Sequence, residues 1–350
     1  MAKKNKKERK NRLKSLILLL FLTIVLLSTS TYAWFTANRS VSISPINVQI
    51  AASSGLQIST NASDWKTLIS NDDIEAGYSG HANQLPEELA PVSTVGTVAS
   101  DRMSFFSGLV EGDADNGGAM SLTASACPAE AAGNSGDYIA FDIFLKVDDP
   151  NGGDIFLTNG SGVVSTAGQT DKGLQNAARY GFAILGNGAS TLSAAQAQAL
   201  TGGTTSIIVE PNYDTHTNTG VSNASTYYNQ TTSAGSGQAA LAYKGVKAAI
   251  TTPIILVNTN PGGTADATHF GDIGTLYRTN TAYSAGAATG YEAYKGATKE
   301  AKLLNVFHLS TGITKIRVYM WVEGQDVDCE NAASGSFLTY TLGFTLDDEE

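Results

Sequence analysis

What this chain lacks narrows its function before anything it contains does. No His-Glu-x-x-His arrangement occurs, and His81, His216, His269 and His308 stand at no zinc-ligand spacing from one another or from Cys. Without Gly-x-Ser-x-Gly there is no hydrolase nucleophile elbow, and without Gly-x-x-x-x-Gly-Lys-Ser/Thr no nucleotide loop. The carboxylate pairs Asp72/Asp73 and Glu87/Glu88 are explained by solvation, so the reading is of a protein that is not an enzyme. No Leu-Pro-x-Thr-Gly and no apolar tail occur near the C-terminus, which excludes sortase anchoring; "LPEEL" at 85–89 departs from that motif. Charge is sparse too, at 15% of residues, while Gly, Ala, Ser, Thr and Asn dominate. Such a composition suits long amphipathic helices badly and short strands joined by turns well.

The beginning of the chain is the exception to that sparseness. Eight bases lie between Lys3 and Lys14 against the single acid Glu8, followed by Leu16–Leu27, interrupted only by Thr23. A cluster of this kind stays cytosolic. A run of twelve residues is too short for a spanning helix of about 20 and matches a secretory leader. Thr31 and Ala33 fit the small side chains that signal peptidase takes three residues and one residue before its cut, which makes Trp34 the new N-terminus. The alternative is an uncut signal-anchor with Trp34 and Phe35 at the outer interface. No Cys follows the apolar run, so a lipoprotein is excluded. No Gly or Ala cut site precedes it and no Glu lies within it, which argues against a type IV pilin. Residues 34–350 hold 14 basic and 31 acidic residues, a net charge of −17. An acidic surface repels phosphate backbones, so no nucleic-acid partner is expected, and membrane contact only through the leader.

The rest reads as strands. Val41 and Ile43, then Ile46, Val48 and Ile50, alternate with polar residues, and Pro45 marks a bulge or an edge. "YIAFDIFLKV" puts Ile139, Phe141, Ile143, Leu145 and Val147 on one face, with a partly wet far side. "KIRVYMWVE" puts Ile316, Val318, Met320 and Val322 on one face and Arg317, Tyr319, Trp321 and Glu323 on the other, and "FLTYTLGFTL" puts Leu338, Tyr340, Leu342, Phe344 and Leu346 together. The last two runs read as neighbouring strands. Further strands are expected at Ile155–Leu157, Tyr180–Leu185, Ser206–Val209 and Pro253–Val257. Only short helices are expected, at "TLSAAQAQAL" and "DKGLQNAARY". The architecture predicted is an all-β sandwich with long-loop and short-helix insertions over roughly 160–300, behind an N-terminal signal helix.

Two features bear on ligands and cross-links. "EGDADNGG" offers Asp113, Asp115 and Asn116 on a glycine turn, resembling the opening of a calcium loop but without its fifth ligand or its distal Glu. "DDPNGGD" offers Asp148, Asp149, Asn151 and Asp154 similarly. Calcium is the one cofactor to weigh at these loops, and an acidic hairpin turn is the default. Cys127 and Cys329 form an even pair, which in an exported chain favours a disulfide over two thiols.

The basic leader, the short apolar region, "STYAWFT" and the alternating strand after it resemble exported proteins of the TasA/camelysin type. "GLQISTNASDWKT" (55–67) and "VYMWVEGQDVDCENAASGSF" (318–337) add to the likeness. That resemblance implies a jelly-roll sandwich on the surface of a Gram-positive cell or in its biofilm matrix, processed by a SipW-like signal peptidase. It implies homopolymeric fibres in which the N-terminal segment of one subunit completes a sheet of the next. Trp34, Phe35, Val41, Ile43, Ile46, Val48 and Ile50 would then form the assembly strand. Some relatives are described as metallopeptidases, an activity the missing zinc motif argues against. A secreted adhesin binding glycans through Tyr227, Tyr228, Tyr243, Tyr291 and Tyr294 is the second reading, and a secreted hydrolase the third.

Overall fold

The computed structural model describes residues 41–43, 47–48, 56–113, 119–158, 161–170, 173–211, 244–256, 268–272, 276–278, 306–324, 326, 329 and 335–346. Leader residues 1–33, with Thr31 and Ala33, lie outside them, as do Trp34, Phe35, Ile46, Ile50, Asp115, Asn116 and the five loop tyrosines.

The fold is all-β, as the composition predicts. Its centre is a seven-stranded sheet in the order Leu276–Arg278, Thr205–Glu210, Ala178–Gly188, Gly312–Val322, Ile139–Val147, Leu56–Ser59, with Asn83–Gln84 also paired to Ile139–Val147. All pairs are antiparallel except Leu276–Arg278 with Thr205–Glu210. One face carries Phe141, Ile143, Leu145, Tyr180, Phe182, Ile316, Val318 and Met320 into the main core. There they meet Leu89, Val163, Leu338, Tyr340, Leu342 and Phe344 of the covering layer. That front layer holds two small sheets. One runs Gly162–Ser165, Phe337–Leu342, Val41–Ile43, Glu88–Leu89, and the other Phe307–Leu309, Gly153–Leu157, Phe344–Thr345.

The opposite face of the central sheet is covered as well. Val92, Val98, Met103, Phe105 and Cys127 pack on Tyr138, Ala140, Tyr319 and Trp321. Phe105 stacks on Tyr138 at 4.1 Å and meets Trp321 edge-on at 5.2 Å. The Met103 N–H donates to Tyr319 Oη at 2.9 Å, so the buried hydroxyl is satisfied. Each large side chain buried here contributes about 1.5–3 kcal/mol of transfer free energy. At the other end of this face, Trp65, Tyr78, Leu192 and Ala197 cover Phe144 and Ile313.

Burial on both sides corrects two expectations. The far side of Ile139–Val147 is drier than expected, with Lys146 alone part-exposed, and Gly312–Val322 is buried at all eleven positions. Gly312–Val322 and Phe337–Leu342 are not neighbours either; they lie in different layers. The burial patterns give the reason. A strand buried on both faces belongs at the middle of three layers, whereas Phe337–Leu342 alternates between exposed and buried and fits an outer sheet. Of the stretch expected to be an insertion, Ala178–Gly188 and Thr205–Glu210 are instead strands of the central sheet.

Proline marks the irregularities. Pro253 sits in the edge strand Ile250–Leu256, where the register against Ala119–Ala126 shifts between Leu122 and Ala124. The short helix expected in "TLSAAQAQAL" is Ala194–Gln198, which starts at a capping box between Ser193 and Gln196, and Leu174–Ala177 forms one 3₁₀ turn. A second helix, Asn71–Ala76, starts at a capping box between Ser70 and Asp73.

Cys127 and Cys329 are free thiols. They do not pair because Cys127 belongs to the cluster behind the central sheet and Cys329 to the core in front of it. Burial, reinforced by Asp137, pushes the Cys127 thiol up to about 12. The purified chain should therefore gain no two hydrogens in intact mass on reduction, and both thiols should react with a thiol reagent only after denaturation.

The Lys66 ammonium and then the Ser70 N–H hold the Asp73 carboxyl below the usual carboxylate range. A depressed folded pKa gives stability that is present above the unfolded value, about 3.9, and lost as pH falls through the folded one. Urea midpoints of Asp73→Asn and the unmodified chain should differ at neutral pH and converge in strong acid.

Candidate assembly interface

The N-terminal strand Val41–Ile43 lies inside the front sheet, not at its edge. It runs parallel to Phe337–Leu342, with Ser42 opposite Phe337 and Ile43 opposite Leu338. On its other side it runs antiparallel to Glu88–Leu89, with Val41 opposite Leu89. Asn47–Val48 continues along the same partner, Asn47 opposite Thr341 and Val48 opposite Leu342. Leu89, Leu338, Tyr340 and Leu342 are all buried. Both neighbours are remote in sequence, and no hairpin ties the strand to either.

The register changes along this pairing. From Ser42 to Asn47 the chain advances five residues while its partner advances four, from Phe337 to Thr341. The offset arises between the pairs Ile43–Leu338 and Asn47–Thr341. The sequence alternation changes phase at the same place, from 41 and 43 to 46, 48 and 50. A one-residue slip restores such a phase change, because the side-chain period of a strand is two. Of the expected assembly residues, Val41, Ile43 and Val48 fall in this sheet. Its outer surface exposes Val164 by 57% and Phe337 by 36%.

The expected calcium loops differ from each other. Asp113 pairs with Ala119 across the hairpin that joins Phe106–Asp113 to Ala119–Ala126. In the second loop every acid meets a protein donor. Asp148 lies 3.6 Å from Lys146 Nζ, Asp149 Oδ1 accepts from the Asn151 N–H at 2.8 Å, and Asp154 meets His308 Nδ1 at 2.7 Å. Among the described residues, no three acidic, His or Cys side chains are arranged to hold a metal ion.

Two groups of buried charge were not foreseen. Behind the central sheet, Arg317 clamps Asp142 with Nε at 2.7 Å and Nη2 at 3.2 Å, across the strand pair that places the two opposite each other. Tyr78 donates to Asp142 at 2.8 Å, and Lys315 Nζ lies 3.7 Å from it. Burial, with the Asp142 charge behind it, raises the Tyr78 pKa, while burial lowers that of Lys315. Arg317 Nη1 also donates at 3.0 Å to the carbonyl of Asp101. Asp101 and Ser100 form the tight turn between Val98–Ala99 and Arg102–Met103, with φ of 61° and 51°. Positive φ at both central residues is the type I′ pattern, one of the two turn types whose twist matches that of the strands in a two-residue hairpin. The Asp101 carboxylate ties it to Thr201 and to the Gly202 N–H.

At one end of the central sheet Arg179 is wholly buried. It lies 2.8 Å from Glu210 Oε1, bonds Asp326, and donates to the carbonyls of Asn176 and Ala178. Trp321 Nε1 donates to the adjacent Glu323 at 3.1 Å. Both groups join separate elements by charge-assisted bonds, and their role is to fix layers in place. Removing one partner leaves a buried charge uncompensated, at about 3–5 kcal/mol. Arg179→Met should lower unfolding free energy by about that amount in urea titrations, whereas a change on the exposed face, such as Leu68→Ala, should alter it little.

No protein-family model matches this chain, and no curated protein or solved structure resembles it significantly.

Proposed function

We propose that this chain is an extracellular structural subunit, a jelly-roll-like sandwich of the TasA/camelysin type that joins copies of itself through its N-terminal strand. The observation that carries the reading is the place of Val41–Ile43. It fills an interior position of the front sheet between two strands remote from it in sequence. A strand so placed is held by backbone hydrogen bonds on both sides, and the same position accepts the equivalent strand of another copy. Val41, Ile43 and Val48 set the register against Leu89, Leu338 and Leu342. The leader keeps this segment at the membrane until a SipW-like signal peptidase cuts after Ala33, so export and assembly are coupled in order. The net charge of −17 beyond the leader keeps free subunits soluble. No catalysis is assigned to the chain.

The test compares the processed chain with one lacking residues 34–50 by electron microscopy. Filaments in the first, none in the second, and capture of a synthetic peptide of residues 38–50 by the second without filament formation are the expected results. Monomers of the processed chain, with no capture of the peptide by the shortened one, would sink the reading.

A further inference from the structure

The turn 148–152 joins the central strand Ile139–Val147 to the front strand Gly153–Leu157 and contains the peptide bond Asp149–Pro150. Four features converge on that bond. Asp149, Pro150 and Asn151 are exposed, so water has access. The Asp149 carbonyl oxygen accepts from the Gly152 N–H at 3.0 Å and from the Thr311 hydroxyl. Two donors on one carbonyl oxygen polarise its carbon and stabilise charge that develops on that oxygen. The Asp149 side chain, anchored through Oδ1 on the Asn151 N–H, stands next to the same carbon in the chain. Finally, His308 faces the turn. Its Nδ1 is held by Asp154 at 2.7 Å, and a Cβ placed on Gly152 would lie 2.9 Å from its Nε2. A ring whose Nδ1 proton is held by a carboxylate keeps Nε2 as the atom that takes up and releases a second proton.

The geometry points to Asp149–Pro150 as a self-cleavage site. Asp149 Oδ2 attacks the Asp149 carbonyl carbon, and the oxyanion forms against Gly152 N–H and Thr311. The intermediate collapses as the C–N bond breaks. Pro150 nitrogen leaves with the second proton of the His308 imidazolium, taken up from solvent and carried on Nε2, and Asp149 is left as a cyclic anhydride. One water then opens the anhydride to a new C-terminal Asp149, so the sum is hydrolysis of one peptide bond with no redox change. Proline makes the better leaving group because its basic nitrogen is a secondary amine once released. The cut ends remain in different layers, each held by its own strand pairs, so the nick need not unfold the protein. This site is independent of the N-terminal strand and of the assembly reading.

Asp-Pro bonds break slowly in acid in any chain, so the informative comparison is between folded and unfolded protein. The purified full chain is incubated in mildly acidic buffer with and without urea, then separated under denaturing conditions, with intact mass and N-terminal sequencing of the products. The folded chain should yield fragments ending at Asp149 and beginning at Pro150, faster than the unfolded chain by at least about tenfold. Asp149→Asn should abolish this. His308→Gln and Thr311→Val should each slow the folded chain towards the unfolded rate while leaving its urea midpoint nearly unchanged. Equal rates folded and unfolded, or no effect of His308→Gln in a folded variant, would overturn the assignment.

Discussion

The two-sided burial of Gly312–Val322 is the constraint on which the rest of this structure depends. A strand with water on neither face must satisfy every backbone group through its neighbours, and Ile139–Val147 and Ala178–Gly188 supply those partners over nearly its whole length. It must also be covered twice. That requirement calls up the front layer on one side and the segment around residues 92–105 on the other. Any charge on such a strand has to arrive with its partner, because an unpaired buried charge costs several kcal/mol. Arg317 meets this condition through Asp142, directly across the strand pair.

The covering layers are built differently from the centre. Their strands are short, several only two or three residues, and their neighbours come from distant parts of the chain. Short strands of remote origin close the molecule only when the central sheet gives them a surface to lie on. The charge groups then fasten them from behind: Arg317 reaches the turn at Asp101, and Arg179 reaches Asp326 beyond the end of its neighbouring strand. The N-terminal strand belongs to this outer class. It is held by ladders alone, without a covalent turn to either partner.

The front-facing half of the central sheet was legible in the alternation of Ile139–Val147 and Ile316–Val322, and so was the class of fold. The back half was not. Asp142, Lys315 and Arg317 are polar in one dimension and buried in three, since each cancels a neighbour that only the register reveals. Ala178–Gly188 was seen as a strand but not as a central one, because Gly181 and Ala183 contribute little hydrophobic signal. Gly181 is small for a packing reason: a Cβ there would lie 2.9 Å from the Trp321 ring. The helix Asn71–Ala76 is too short to show a 3.6-residue period, yet Ser70 and Asp73 stood at capping-box spacing in the sequence. The cysteine count favoured a bridge because parity says nothing about which side of a sheet each thiol occupies. Val41–Ile43 was legible as a strand, but its parallel partner Phe337–Leu342 was not.

The one-residue offset between the pairing of Val41–Ile43 and that of Asn47–Val48 gives this segment an asymmetry along its length. A segment with uninterrupted alternation could match one half of the position beside Phe337–Leu342 and would turn the wrong side chains inward along the other half. The site therefore discriminates by phase as well as by hydrophobicity. Only a sequence with its own misstep between the two halves fits both, as the alternation of this chain's 41–48 segment does.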